Sequence, residues 1–315
     1  MKQSHAYKHI RFKSVKQSAA ALQSQFGLDK HLSFRDVGGG FVVLEINNAI
    51  CSASIALQGA QVMTWQPKTQ AEPVLWISEA ASLKQGKSIR GGIPVCWPWF
   101  GAHPTQPSFA AHGIARTAMW DVKQTSINKQ GEVQITLSLQ SKQHPQWQHD
   151  TLAELKVVVG EALLLNLTTT NLGDIPITIG QALHTYFKVG DVREVSVHGL
   201  ADCPYIDKLS SDTVQQKQQG NTSISSEVDR IYLDNGQDVL LEDGSLQRTV
   251  RIQKQGSSST IVWNPWIDKT KALGDMGADD AYLGMLCIES ANADEDVITL
   301  SAKGKHTLSV CYSIV

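Results

Sequence analysis

The sequence, 315 residues long, predicts an all-β fold, and three observations support this. Residues 132–139 and 307–314 alternate apolar and polar side chains, a pattern typical of strands with one buried and one wet face. Turn sequences such as Gly38-Gly39-Gly40 and Glu242-Asp243-Gly244 separate the strand-like segments. These segments do not alternate with helical ones, which favours an antiparallel sandwich over a parallel sheet.

The predicted elements follow one another from the N-terminus. The helical spacing of Val15, Ala19, Leu22 and Phe26 predicts one short helix before the first strand. In chain order, strands are predicted at residues 41–46, 52–57, 132–139, 152–159, 163–170, 175–179, 194–198, 248–253, 260–263 and 307–314. Residues 210–227 are rich in Ser, Gln and Thr and are predicted to form an exposed loop.

The length of the chain is compatible with one large core. All-β folds of about 200 to 250 residues commonly form single domains, so residues 36–315 are expected to be one β-sandwich domain. Residues 1–35 contain no recognisable motif. We expect them to be an N-terminal extension that carries the short helix, packed on the domain.

Composition excludes several classes of partner. Lys and Arg total 28 against 30 for Asp and Glu, so no field of one sign favours nucleic acid or an anionic membrane. The five cysteines are widely spaced without a CxxC pair, which argues against a disulfide framework and a zinc site. No apolar run approaches the roughly 18 residues of a membrane span, and the first 30 residues lack the apolar centre of a secretory signal. We expect a cytoplasmic monomer with a small-molecule partner.

The most informative segment is residues 88–101, SIRGGIPVCWPWFG, followed by AHGIAR at 111–116. It places Arg90, His112 and Arg116 among glycines, prolines and tryptophans. Guanidinium groups offer rigid forks of donors for phosphate oxygens, and glycines let the backbone approach a ligand closely. The segment therefore predicts a pocket for a small anion and a flat polar ring, the alternative being a turn-rich corner with two surface arginines.

Other chemistries lose support because their motifs are missing. The sequence has no GxxxxGK[ST], no GxGxxG after a strand, no HExxH and no GxSxG, which disfavours nucleotide, hydride and zinc-hydrolase chemistry. Interconverting the anomers of a sugar needs only one base and one acid that work near neutral pH. The polar residues that could act on a sugar without a cofactor are His184, Glu289, His112, Asp229, Arg90 and Arg116.

The glycine- and tryptophan-rich segment resembles the hexose-6-phosphate mutarotases, also called glucose-6-phosphate 1-epimerases, of the aldose 1-epimerase superfamily. Four later segments match the same family in the same order: ALHTYFKVGD at 182–191, DRIY at 229–232, VWNPW at 262–266 and CIE at 287–289. Ile114 departs from the family, where Phe is usual. The resemblance runs from about residue 56 to the C-terminus. It implies the large two-sheet supersandwich of galactose mutarotase-like proteins and an isomerase that needs no cofactor and no metal.

The resemblance also implies roles for individual residues. His184 matches the general acid that protonates the ring oxygen O5, and Glu289 matches the general base that acts on the O1 hydroxyl. Arg90 and Arg116 match the positions that hold the 6-phosphate. The expected reaction is the interconversion of the α and β anomers of hexose 6-phosphates, chiefly glucose 6-phosphate, by ring opening and reclosure.

The remaining site candidates are expected to bind the sugar. His112 is expected to contact the ring or O5 and Asp229 a hydroxyl, while Gln58, Trp97 and Trp266 are candidates for the pocket wall.

Two alternatives stay open. An aldose 1-epimerase of unphosphorylated sugars would share His184 and Glu289 but would not need both arginines. A catalytically silent carbohydrate-binding sandwich would not need the His–Glu pair.

Overall fold

The structure, a computed structural model, describes residues 18–210 and 215–315. Strands dominate the described residues. They are β1 (Leu32–Asp36), β2 (Val42–Asn47), β3 (Cys51–Ala56), β4 (Gln61–Pro67), β5 (Val95–Cys96), β6 (Asp121–Ile127), β7 (Val133–Ser141), β8 (Thr151–Val159), β9 (Leu163–Asn171), β10 (Ile177–Ile179), β11 (Gln181–Leu183), β12 (Tyr186–Lys188), β13 (Val195–His198), β14 (Pro204–Asp207), β15 (Gln216–Lys217), β16 (Val228–Tyr232), β17 (Val239–Asp243), β18 (Arg248–Gln255), β19 (Ser259–Asn264), β20 (Met285–Asn292), β21 (Ile298–Leu300) and β22 (Lys305–Ile314). The helices are α1 (Ala19–Phe26) and α2 (Trp266–Leu273), with 3-10 turns at Ala115–Thr117, Val192–Glu194, Ala281–Gly284 and Asp294–Asp296.

Two eight-stranded antiparallel sheets form the body of the molecule. The first, which we call the front sheet, has the order β15-β14-β16-β19-β20-β11-β5, with β12 also paired to β20. The second, the back sheet, has the order β13-β17-β18-β22-β9-β8-β7-β6. A four-stranded sheet, β1-β2-β3-β4, and the pair β10-β21 complete the described strands.

The front and back sheets pack face to face across one hydrophobic core. Their facing residues are mainly Leu, Val and Ile, with aromatic side chains between them. The indole N–H of Trp97 donates to Thr169 Oγ1 at 2.9 Å, and the rings of Phe187 and Tyr312 meet edge to face at 5.5 Å. The predicted antiparallel two-sheet sandwich is therefore confirmed.

The N-terminal elements described by the structure pack on this body. Ser18 caps α1 by accepting a hydrogen bond from the Ala21 N–H, and Leu22 is fully buried. The Phe34 N–H donates to Gln23 Oε1 at 2.8 Å, which ties α1 to β1. Because β1 pairs with β2, the chain enters the four-stranded sheet before residue 36. Residues 15–17 of the expected helix lie outside the described residues, and neither described helix is long and apolar enough to cross a bilayer.

The expectation of an exposed loop over 210–227 is wrong for part of that segment. β15 extends the front sheet by pairing with β14. Thr222 exchanges two backbone hydrogen bonds with Val197 and is buried, as is Ile224. The polar composition of the segment suggested that its backbone groups are hydrogen-bonded to water, but these contacts pair several of them with other backbone groups. Residues 211–214 lie outside the described residues.

Candidate active site

The register of the front sheet sets His184 opposite Glu289. β11 and β12 both pair with β20, Ala182 lying opposite Ala291 and Tyr186 opposite Cys287. His184 lies between these two pairs, and the same register brings it to Glu289.

Both side chains occupy the face of the front sheet that points away from the core between the two sheets. Side chains alternate across a strand, so Leu183 and Phe187 enter that core while Ala182 and Tyr186 join a second cluster on the other face. The candidate site is therefore built on the outer face of the front sheet.

His184 and Glu289 form a close and buried pair. His184 Nδ1 lies 3.4 Å from Glu289 Oε1, and the exposed fractions of the two side chains are 12% and 2%. Neither His184 Nδ1 nor Glu289 Oε2 has a hydrogen-bond partner among the described residues. Buried polar atoms are rarely left without a partner, which marks this pair as a place where a ligand's hydroxyl and ring oxygens can bind.

Burial shifts the pKa values of the pair in opposite directions. It raises the pKa of Glu289 well above its usual range, and Asp229 nearby adds to this shift. Burial lowers the pKa of His184 well below its usual range, with further lowering by His112, Arg90 and Arg116. Both shifts favour the uncharged forms, so the pair holds one proton on the carboxyl group. Transfer of that proton to the imidazole gives a carboxylate base and an imidazolium acid without changing the charge of the pair.

His112 stands beside the pair. Its ring meets that of His184 edge to face at 5.7 Å. Its Nδ1 accepts a hydrogen bond from the Gly101 N–H at 3.3 Å, so the proton of the neutral ring lies on Nε2. Burial, followed by Arg116 and Arg90, lowers the pKa of His112 to about 3. His112 is therefore neutral near pH 7 and can donate a hydrogen bond from Nε2.

A close backbone approach fixes His112. His112 has a φ of 65° and its N–H donates to the Gly101 carbonyl at 2.7 Å. The next residue, Gly113, has a φ of 75°, and a Cβ there would lie 2.0 Å from the Trp97 carbonyl oxygen. Only glycine fits this position.

Both arginines of the predicted anion pocket lie close enough to His184 to affect its pKa. Burial lowers this pKa most, and each arginine lowers it further. Arg90 Nε donates to Asp275 Oδ1 at 3.0 Å and its Nη1 to Tyr186 Oη at 2.9 Å. Arg116 Nη2 donates to the Ala111 carbonyl at 2.8 Å, and Arg116 has no ion pair among the described residues. Arg90 is thus paired with a carboxylate, whereas Arg116 has no such partner among the described residues.

Asp229 joins the site from β16. In register across the sheet, Asp229 lies opposite Trp263, which in turn lies opposite Cys287. Burial raises the pKa of Asp229, while Lys269 and Lys208 act against that shift. Its contribution to the pKa of Glu289 places the two carboxyl groups within electrostatic reach of each other.

Aromatic side chains line the site, and sequence reasoning missed them. The ring of Tyr186 stacks on that of His184 at 4.9 Å and 7°. Trp263 meets His184 edge to face at 6.2 Å, and Trp76 stacks on Tyr186 at 5.8 Å. Strand alternation places Tyr186 on the same face as His184, so this residue could have been found. The rings of Tyr186 and Trp263 therefore form apolar surroundings for the His184 ring.

The structure gives the contacts of the three residues predicted for the pocket wall. Gln58 is buried beneath the loop before Arg90, where its side-chain amide donates to the Lys87 carbonyl and accepts from the Gly86 N–H, both at 2.7 Å. Trp97 is fully buried between the two sheets. Trp266 begins α2 and packs on Tyr282 at 5.0 Å. In the structure Gln58 thus supports the loop that carries the arginine.

Over residues 18–210 and 215–315, no three His, Cys, Asp or Glu side chains group in a way that could hold a metal ion.

Comparisons with known proteins extend over nearly the whole chain. The sequence model of the aldose 1-epimerase family matches residues 42–313. An Escherichia coli K12 protein named "Putative glucose-6-phosphate 1-epimerase" is 34% identical over 266 residues, which cover 84% of this chain and 87% of that protein. A Cenchrus ciliaris protein with the same name is 35% identical over 260 residues, covering 79% and 77% of the two chains.

Solved structures show the same architecture. A crystal structure described as a "putative mutarotase (YeaD)" from Salmonella typhimurium is similar with a TM-score of 0.84 at 29% identity. The match covers 92% of this chain and 95% of that chain.

Proposed function

We propose that this chain, which belongs to the aldose 1-epimerase family, interconverts the α and β anomers of hexose 6-phosphates, chiefly glucose 6-phosphate. Membership of the family makes the chain an epimerase, and the phosphorylated substrate and the mechanism are the proposal. The observation that carries it is the buried His184–Glu289 pair with two arginines in electrostatic reach. The names of the curated relatives support the same substrate.

Ring opening requires a general acid that donates one proton and a general base that accepts another. Glu289 takes the proton of the O1 hydroxyl while His184 protonates the ring oxygen O5, and the C1–O5 bond breaks to give the open-chain aldehyde. Rotation about C1–C2 presents the other face of the carbonyl to the O5 hydroxyl. Reclosure returns the proton from Glu289 to O1 and the O5 proton to His184, so the pair ends as it began.

The sugar itself stabilises the ionised form of the pair. A hydroxyl donor at the Glu289 carboxylate lowers the pKa of Glu289, and an acceptor at the imidazolium raises that of His184. Both changes act against the shifts caused by burial.

The phosphate adds to this effect. Arg90 and Arg116 are suited to a phosphate dianion because guanidinium groups donate in a fixed, planar pattern. Since both arginines lower the pKa of His184, neutralising them with phosphate raises it again. A phosphorylated substrate is therefore expected to be bound more tightly and to be turned over by a better acid.

The remaining polar groups fit hydroxyl recognition. His112 donates from Nε2 to the ring oxygen or a hydroxyl, and the Asp229 carboxylate accepts from another hydroxyl. Each neutral hydrogen bond is worth about 1 kcal/mol net, and charged ones more.

The test is an anomer-resolved NMR exchange measurement on the wild-type protein. We expect accelerated exchange with glucose 6-phosphate and much slower acceleration with glucose. Equal acceleration of both would favour an epimerase of unphosphorylated sugars. Binding of either sugar without any acceleration would favour a carbohydrate-binding protein.

A further inference from the structure

Two side chains from separate elements hold the guanidinium group of Arg90. Asp275, which lies just beyond α2, accepts from Nε at 3.0 Å, and Tyr186 on β12 accepts from Nη1 at 2.9 Å. Nη2 has no hydrogen-bond partner among the described residues. A guanidinium group is planar and rigid, so holding Nε and Nη1 also fixes the direction of the Nη2 donors.

The two partners of Arg90 are themselves anchored. Ser78 Oγ donates to the Asp275 carbonyl at 2.7 Å, and the Ser78 N–H donates to the Arg90 carbonyl at 3.1 Å. One residue therefore sets the spacing between the backbones of Asp275 and Arg90. Tyr186 is buried, and its ring is stacked between Trp76 and His184.

The space beside this arrangement suits an anion. Arg90 and Asp275 line a cavity of about 390 Å³ together with Lys84, Lys87 and Ser88. Neither lysine forms an ion pair with a described residue, so the local charge is positive despite the aspartate.

We propose that Asp275 and Tyr186 are positioning residues that determine selectivity for phosphorylated over free hexoses by holding Arg90 ready for the phosphate. The inference rests on the proposed function. A mobile arginine side chain loses conformational entropy about several rotatable bonds when it binds a ligand. An arginine whose side chain is already fixed by hydrogen bonds loses much less. Removing the Asp275 contact should therefore weaken phosphate binding without altering the chemistry at the sugar ring.

The first variants separate hydrogen bonding from charge at position 275. Asp275→Ala removes the acceptor for Arg90 Nε, and we expect the KM for glucose 6-phosphate to rise about 5- to 30-fold, the range expected for freeing one long side chain. Asp275→Asn keeps an oxygen acceptor and removes a negative charge near the phosphate. We expect its KM to stay within about threefold of the wild-type value.

A second variant tests the other partner. Tyr186→Phe removes only the hydroxyl group and keeps the ring that stacks on His184. The KM for glucose 6-phosphate is expected to rise here as well. Asp238→Ala is the matched control, because Asp238 pairs with Arg251 on the back sheet and losing that pair should leave both substrates unaffected.

The measurements are anomer exchange by NMR with glucose 6-phosphate and glucose, and the Kd of glucose 6-phosphate by calorimetry. Support is a higher KM and Kd for the phosphorylated sugar in Asp275→Ala, an unchanged kcat/KM for glucose, and recovery in Asp275→Asn. An equal fall on both sugars, wild-type behaviour of Asp275→Ala, or equal losses in the Ala and Asn variants would overturn the inference.

The wild-type protein separates the two proposals. If it prefers glucose 6-phosphate and Asp275→Ala keeps that preference, only the positioning role fails. If the wild type shows no preference for the phosphorylated sugar, the proposed function fails and the selectivity role fails with it.

Discussion

At the scale of single residues, burial distinguishes two His–Glu pairs among the described residues. His198 and Glu242 approach to 2.8 Å on the exposed side of the back sheet, whereas His184 and Glu289 are buried. We expect His184→Ala or Glu289→Gln to lower turnover by roughly 10² to 10⁴, the range for positioned proton transfer. His198→Ala and Glu242→Gln serve as matched controls and should leave anomer exchange unchanged. Near-normal exchange in folded variants of the buried pair would refute its catalytic role.

A second prediction concerns the arginines as phosphate ligands. A hydrogen bond to a charged group contributes about 1.5–3 kcal/mol, so Arg90→Ala or Arg116→Ala should lower kcat/KM for glucose 6-phosphate about 10- to 150-fold. Slow turnover of free glucose should not fall in either variant, because glucose has no phosphate for the arginines to bind. Parallel assays with the two sugars measure this, and an equal fall on both would mean that the arginines support the fold or the catalytic pair instead.

Much of the site could be predicted residue by residue, but its supporting contacts could not. His184 and Glu289 stand out as polar residues within apolar strand segments. Asp275 gave no signal, because its contact with Arg90 joins residues 185 positions apart and depends on how a loop after α2 folds back. The hydrogen bonds of Gln58 to the backbone at Lys87 and Gly86 could not be inferred from sequence either.

At the scale of elements, the alternation of apolar and polar residues predicts strands that are buried on one face. It does not identify strands that are buried on both faces. β7 and β22 show the period of two and were predicted. β20, which carries Glu289, is buried along its entire length, so both of its faces are covered and no alternation appears. The interruption between β11 and β12, where His184 lies, was not predicted either. It is defined by how the two strands pair with β20, which the sequence does not show.

A pair of glycines tests the loop that carries His112. Gly113 and Gly131 both have positive φ values, but a Cβ at Gly113 would meet the Trp97 carbonyl at 2.0 Å and one at Gly131 would meet nothing within 4 Å. Gly131→Ala should cost about 1–2 kcal/mol from backbone strain alone. Gly113→Ala should cost clearly more and should also slow anomer exchange by displacing His112.

Urea unfolding gives the stability of the two variants, and anomer exchange measured on the same preparations gives their activity. Equal stability of the two variants would show that the contact between Gly113 and Trp97 is not a constraint.

At the scale of the whole molecule, the sandwich assembles one site from distant segments. Arg90, His112 and Arg116 come from loops beside β5, while His184, Glu289 and Asp229 come from three strands of the front sheet. Composition and alternation predicted the sandwich, yet neither contains the strand order that makes β20 the neighbour of both β11 and β19. The family resemblance implied the two-sheet supersandwich as a whole, and the strand order follows from the structure.

The buried titratable groups of this site also link the stability of the whole protein to pH. His112 has a folded-state pKa of about 3, below the usual 6.5, so the unfolded chain binds a proton that the folded chain does not as pH falls below 6.5. This contribution to stability is lost as the pH is lowered. His184 acts in the same direction, while Glu289, whose pKa is raised, loses stability as pH rises above 4.5. Between these values the contributions of His184 and Glu289 oppose each other, and Asp229, whose pKa is also raised, opposes the contribution of His112.

We therefore expect His112→Gln to flatten the fall of unfolding free energy between pH 6 and pH 4.5 by at most about 1.4 kcal/mol per pH unit, the value for one proton. Urea unfolding of each variant at several pH values measures this slope. Because each protein is compared with itself, a uniform destabilisation by the substitution cancels. The same slope in both proteins would mean that His112 takes up its proton in the folded state, and its assignment as a neutral Nε2–H donor would then be wrong.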